Sequence, residues 1–253
     1  AALTNPQTGF AQHSVVSGAP PLHAPDANGC PIRFTLRQDI GEHIGYDQSL
    51  TQLGMFLPLS ETGSHALTFL DLQPTFYNDD GFGMNAGLGY RFYSAAHGRT
   101  YGVYGYLDYR ETQYNSFRQV TLGFDSLGSL IDLRGNLYLP NQGGRRLPLE
   151  AVAAPHFVRH QLRMGGYEYG MLGGDLEVGL VLPEMWHTQS RLLAGVYAFD
   201  TRGDEEGTGL RARLETHWAP WLATDVAVYH DDQQGTTAVV GVELSWQPEL
   251  RGR

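Results

Sequence analysis

From about Phe34 to Trp246 the chain alternates large apolar with polar residues in strand-length segments. Residues 129–140 read SLIDLRGNLYLP. Ile131, Leu133, Leu137 and Leu139 fall on one face, and Asp132, Arg134, Asn136 and Tyr138 on the other. A repeat of two is the period of a β-strand with unlike faces. A soluble sandwich would bury its apolar faces between two sheets. Here charges, Tyr and Gly fill the second face in strand after strand. That pattern predicts an all-β fold, an antiparallel transmembrane β-barrel of the outer-membrane type, apolar toward lipid and polar toward its interior.

Twelve strands are predicted, at 33–45, 48–60, 65–77, 82–94, 100–111, 115–126, 128–140, 168–182, 190–200, 207–218, 221–230 and 236–247. An even number is what single-chain bacterial barrels have. In 82–94, Met84, Ala86, Leu88, Tyr90 and Phe92 share a face, opposite Asn85, Gly87, Gly89, Arg91 and Tyr93. In 207–218, Leu210, Ala212, Leu214 and Trp218 oppose Arg211, Arg213, Glu215 and His217. The segment 190–200 has no single register by this test, because Leu192 and Leu193 are adjacent.

The connections form two sets. SETGS, SAAHGR, SLGS, PEMWHTQS and AP make one; YNDDGF, RETQYN, RGDEEG, DDQQG and the long 141–167 make the other, more acidic set. Outer-membrane barrels keep short turns on the periplasmic side and longer loops outside. The second set is therefore expected outside the cell and both termini in the periplasm. Residues 1–31 carry Pro6, Pro20, Pro21, Pro25 and Pro31 without an apolar period, which predicts an extended tail. The barrel is expected over 32–248, with a short tail at 249–253. The chain begins Ala-Ala rather than with Met, as expected either of a mature form after signal removal or of an excised piece of a longer chain.

Composition agrees. Mean hydropathy is −0.30, too polar for a bundle of spanning helices, whereas half the residues of a barrel strand face away from lipid. The 32 Gly and 14 Tyr suit barrel strands and aromatic girdles. A net charge of −10 argues against nucleic acid as a partner. One cysteine, Cys30, excludes an intrachain disulfide framework.

The candidate functional residues are those on the polar faces. Arg91, Tyr104, Tyr106 and Asp108 come from the first half of the chain, followed by Asp132, Arg134 and Asn136. Asp175, Glu177, Arg211, Arg213, Glu215 and Glu243 complete the predicted interior lining, with Arg37, Asp71, Gln73, Asn85, Arg110 and Asp225 on the same faces. They could line a pore, but in a barrel of this size most are expected to pair across neighbouring strands and fill the interior. His156 and His160 have a ligand-like spacing, but no Glu or Cys accompanies them in a zinc pattern, so no metal or cofactor is expected. Asp108 and His217 lack a Gly-x-Ser-x-Gly nucleophile motif, and no catalytic residue is expected.

The last predicted strand reads Val239-Val240-Gly241-Val242-Glu243-Leu244-Ser245-Trp246. A terminal aromatic with Gly five positions earlier resembles the signal read by the outer-membrane assembly machinery, and Gly241, Leu244 and Trp246 are its candidate residues. The chain as a whole resembles the translocator barrel of the inverse autotransporters, the intimin and invasin group. The matching segments are Gly87 to Phe92, Tyr101-Gly102 through Asp108-Tyr109, Asn136 to Pro140, Gly173 to Glu177, the Ala219-Pro220-Trp221-Leu222 turn and Trp246, in family order. The resemblance implies a twelve-stranded barrel in the outer membrane of a Gram-negative cell that anchors and exports an adhesin. Seven residues follow the last strand, so no passenger is evident, and anchoring is the leading expectation. The alternatives are a stand-alone narrow porin-like channel, or a structural anchor in a protein complex. Expected partners are outer-membrane lipid, the assembly machinery during insertion, and a protein at the N-terminal tail or at 141–167.

Overall fold

The alternation along the strands is matched by burial, with the sense reversed from a water-soluble protein. Leu88, Val103, Leu107, Val178, Leu210 and Leu244 stand outward and exposed, while Arg91, Asp125, Asp132 and Glu177 are enclosed. Exposed apolar side chains on every wall would form one large unfavourable surface in water. They suit hydrocarbon, where the backbone can satisfy its hydrogen bonds only within a helix or a closed sheet.

The computed structural model describes residues 32–41, 49–62, 65–78, 81–111, 115–141, 145–146, 156–158, 161–163, 167–168, 170–185, 188–200, 206–232 and 235–248. The first strands are β1 (Arg33–Gly41), β2 (Leu50–Thr62), β3 (Ala66–Tyr77), β4 (Phe82–Ser94), β5 (Arg99–Glu111), β6 (Ser116–Leu127) and β7 (Ile131–Pro140). Four short strands follow: β8 (Arg145–Arg146), β9 (His156–Val158), β10 (Gln161–Arg163) and β11 (Tyr167–Glu168). The wall resumes with β12 (Leu172–Val181), β13 (Gln189–Asp200), β14 (Glu206–Ala219), β15 (Leu222–Asp231) and β16 (Gly235–Trp246). The twelve long strands close into one antiparallel barrel, in which β7 pairs with β12 and β16 returns to β1. Closure leaves no open sheet edge.

Each strand of the wall runs antiparallel to its neighbours, so the start of β1 and the end of β16 lie at the same end. Phe34 and Trp246 stack there at 5.1 Å, and Trp218 and Trp221 are exposed nearby on the β14–β15 turn. At the opposite end Phe76 and Phe82 meet at 5.7 Å. Aromatics at both rims mark the two interfaces of a spanning barrel. Pro58 stands at a bulge in the β2–β3 ladder, where its missing N–H is tolerated.

Several elements depart from the sequence expectation. The described part of the first strand runs to Gly41, its predicted end at 45 lying outside the described residues, and Gly41 has φ +124°, a conformation that L side chains rarely adopt. The seventh strand begins at Ile131 rather than 128, because the Gly128 amide donates to the Asp132 carboxylate at 2.9 Å and closes a turn. The long connection is not uniformly irregular: β8 pairs with β11, and β9 with β10. Leu192 and Leu193 resolve into opposite faces, Leu192 outward and Leu193 fully buried inside. The interior also holds Leu50, Phe56, Leu67, Phe69, Phe117 and Val239 and is therefore not uniformly polar. The predicted tail 1–31 and residues 249–253 lie outside the described residues, as do His160 and the side chain of His156.

Candidate functional site

Two kinds of contact fill the barrel interior, and glycine makes both of them fit. In the first, an aromatic ring lies across a glycine of the next strand and reaches a polar group one strand further on. Tyr106 faces Gly87, which faces Asp71; a Cβ on Gly87 would stand 2.2 Å from the Tyr106 ring. The Tyr106 hydroxyl donates to Asp71 at 2.8 Å. Tyr104 crosses Gly123 to Asn136 at 2.9 Å, and Tyr197 crosses Gly209 to Asp231 at 2.6 Å. The ring of Phe69 covers Gly89 in the same manner and joins Phe56, Leu67, Tyr104 and Tyr106 in one apolar cluster. An alanine at any of these glycines would displace a ring from its place.

In the second kind, a guanidinium replaces the ring. Arg91, Gly102 and Asp125 lie in one row across β4, β5 and β6. Arg91 Nε and Nη2 donate to Asp125 Oδ2 at 3.1 and 2.5 Å, and the guanidinium lies 5.4 Å from the centre of the Phe69 ring. Arg211, Gly195 and Glu177 repeat the row across β14, β13 and β12, with Arg211 Nε 2.8 Å from Glu177 Oε1.

The wall formed by β7 and β12–β14 extends this into a continuous charge network. Arg211 also reaches Asp175 at 3.2 Å, while Arg213 contacts Glu177 at 2.8 Å and Glu215 at 2.9 Å. Arg134 meets Glu215 at 3.2 Å, and Arg191 meets Asp132 at 3.1 Å. Removing charges from water costs several kcal/mol each unless geometry and hydrogen bonds compensate. Here each of these arginines has a carboxylate within contact distance. The β3–β6 wall is built differently. Asp108 receives Thr121 and, at 3.3 Å, Gln119, while Asp71 receives Tyr106 and Gln73. One wall is thus dominated by an arginine–carboxylate lattice, while the other combines aromatic and hydroxyl–amide contacts with the Arg91–Asp125 pair. A cavity of about 640 Å³ borders the row Asn136, Asp175, Tyr197, Gly209 and Asp231. Among the described residues no group of three His, Cys, Asp or Glu side chains is placed to hold a metal ion.

A family model for the inverse autotransporter β-domain matches residues 30–203. The chain belongs to that family. Solved structures agree on the barrel. A chain from a study of the in-meso crystallization of membrane proteins superposes with TM-score 0.62 at 14% identity, over 85% of this chain and 83% of that one. The KdgM porin gives TM-score 0.51 at 12% identity, over 85% and 99% of the two chains. An outer-membrane channel from Pseudomonas putida F1 gives TM-score 0.51 at 10% identity, over 88% and 100%. Identities this low speak for the fold alone. No curated protein sequence matches the chain. The protein is an outer-membrane β-barrel of the inverse autotransporter type.

Within this β-domain the predicted interior residues are brought together in three places. Arg91, Tyr104, Tyr106 and Asp108 line the aromatic wall, and Asn136 joins it through Tyr104. Asp132, Arg134, Asp175, Glu177, Arg211, Arg213 and Glu215 form the charge network. Glu243 is buried near the junction of β16 and β1, where Ser245 donates to it at 3.3 Å. Gly241 points inward, while Leu244 and Trp246 point outward, so these three share a strand but not a face.

Sequence reasoning did not single out Asp39, Asp125, Gln119, Thr121, Arg191, Tyr197 and Asp231, all inward. Strand parity alone would have placed Asp125 with Gln119 and Thr121. Arg191 and Tyr197 were hidden by the Leu192-Leu193 pair. Tyr138, read on the polar face of its strand, donates its hydroxyl to Asp175.

Proposed function

We propose that this β-domain is a non-enzymatic membrane anchor whose interior is braced rather than open, with both termini in the periplasm. The contact that carries this is Arg134 with Glu215. Arg134 is on β7 and Glu215 on β14, three strand steps apart in a wall of twelve. The pair thus reaches across a quarter of the circumference inside the barrel, which supports a braced interior. The orientation is supported by the connections. Those at the end holding both termini fall at 63–65, 95–98, 128–130, 182–188 and 220–221, and the long 141–171 segment is at the other end. Export of a passenger belongs to the same architecture wherever one is attached. Partners in this reading are outer-membrane lipid, the assembly machinery during insertion, and a protein bound at 1–31 or at 141–167. Nucleic acid is not among them.

The 640 Å³ cavity favours a second reading, a narrow channel with the barrel fold of the KdgM porin. Planar-bilayer conductance of the purified chain separates the two. An anchor gives little or no conductance, and deleting 1–31 or shortening 141–167 raises it only if either segment acts as a plug. A large, stable conductance in the unmodified protein would reject the anchor in favour of the channel.

A further inference from the structure

We propose that Arg37 is the latch that closes the barrel at its seam. The seam is the one place where strands from opposite ends of the chain meet: β1 pairs with β16, and β16 with β15. Asp39, Gly241 and Asp225 lie in one row across these three strands. Arg37, two residues before Asp39, sends its guanidinium over Gly241. Nη2 stands 2.8 Å from Asp39 Oδ1 and 2.6 Å from Asp225 Oδ1, and Nε donates to Asp39 Oδ2 at 3.0 Å. The first strand is thereby tied to the penultimate one, across the last. A Cβ on Gly241 would stand 2.4 Å from Arg37 Nη2, 2.5 Å from Asp225 Oδ1 and 2.6 Å from Asp39 Oδ1, so only glycine leaves this passage open.

The arrangement resembles Arg91–Gly102–Asp125 and Arg211–Gly195–Glu177, but its place in the topology differs. Those rows cross strands that follow one another along the wall, whereas Arg37 and Asp225 are 188 residues apart (225 − 37). Contacts at such separation carry the largest loop-closure cost. Among the described residues β1 has nine residues, in a register of eight pairs with β16 and seven with β2. Three features then fasten the seam along its length. Phe34 stacks on Trp246 at one rim, Arg37 bridges over Gly241 in the middle, and Gly41 lies against the β16 backbone at the other rim, where a Cβ would meet Ala238 O at 2.2 Å. Gly241 is assigned a steric role at the seam, independent of any role in recognition during assembly.

Hydrogen exchange of the full chain in lipid nanodiscs tests the latch, because it reads opening strand by strand. Arg37→Gln and Asp225→Asn are compared with Arg91→Gln, which removes a similar ion pair within the β4–β6 wall. Both seam variants should speed exchange in β1 and β16 about tenfold, the factor that corresponds to about 1.4 kcal/mol, and leave β4–β6 near the native rate. Arg91→Gln should do the reverse. Gly241→Ala should copy the seam variants without touching a charge. Failure of both seam variants to insert, while Arg91→Gln inserts normally, would support the latch, since closure is then the step that is lost. Native exchange in β1 for Arg37→Gln and Asp225→Asn, or an equal rise in every strand, would overturn it.

Discussion

The Arg91–Asp125 pair allows a test of how the interior is stabilised. Both side chains are almost wholly withdrawn from solvent, at 1% and 0% exposure. Arg91→Met would leave the Asp125 carboxylate enclosed without the guanidinium that meets it at 2.5 Å. Breaking a buried pair from one side costs about 3–5 kcal/mol, most of it from the stranded charge rather than the lost attraction. Asp125→Leu strands Arg91 in the same way and should cost a similar amount. The double variant removes both charges. Leucine carries two methyl groups where aspartate carries two oxygens, so the passage above Gly102 keeps its shape. Methionine at 91 keeps an apolar contact with Phe69, on which the guanidinium now lies.

The double variant should therefore be more stable than either single one. The check is a double-mutant cycle from denaturant unfolding in lipid vesicles, followed by Trp fluorescence. If the double variant costs the sum of the singles, the two groups do not compensate one another and the interior is not held by paired charges. If Arg91→Met costs less than about 1 kcal/mol, Asp125 is reached by water and the site is not dry, because that is the range of a solvent-exposed pair.

Three further outcomes are expected. Val178→Arg places a charge on the outward face midway along β12 and should cost about 2–4 kcal/mol in vesicle unfolding, whereas Asn85→Arg, inward and partly open, should cost much less; equal costs would refute the assignment of faces. Membrane-impermeant maleimide applied to intact cells should label cysteines placed in 141–167 or 202–205 but not at Pro220, and the opposite pattern would invert the topology. Trp246→Ala gives up a ring pair with Phe34 worth about 0.5–1.5 kcal/mol, yet should reduce outer-membrane yield in cells by more than that loss explains; normal yield would remove Trp246 from the assembly signal.

The outward face of this protein was legible from sequence because lipid imposes one simple rule on it. Every second residue from Met84 to Phe92, or from Leu176 to Leu180, is apolar, and no partner needs to be known for the period to appear. The inward face follows no such rule. It accepts Arg91, Phe69, Gly102 and Leu193 alike, because what matters there is the residue on the neighbouring strand. Leu193 is inward although apolar, and only its alternation with Arg191 and Tyr197 fixes its face. Partner choice depends on register, which is a property of pairs of strands: Arg37 meets Asp225 only because β16 returns to β1 and offers Gly241 between them. Nothing in the residues that flank Arg37 along β1 encodes that meeting. The glycines are the trace that sequence does carry. Gly87, Gly102, Gly123, Gly195, Gly209 and Gly241 all stand inward, each opposite or beside a side chain that needs its empty Cβ position. Each of these six glycines therefore marks a strand that a longer side chain crosses, and a substitution there acts on the crossing contact before it acts on the strand that carries it.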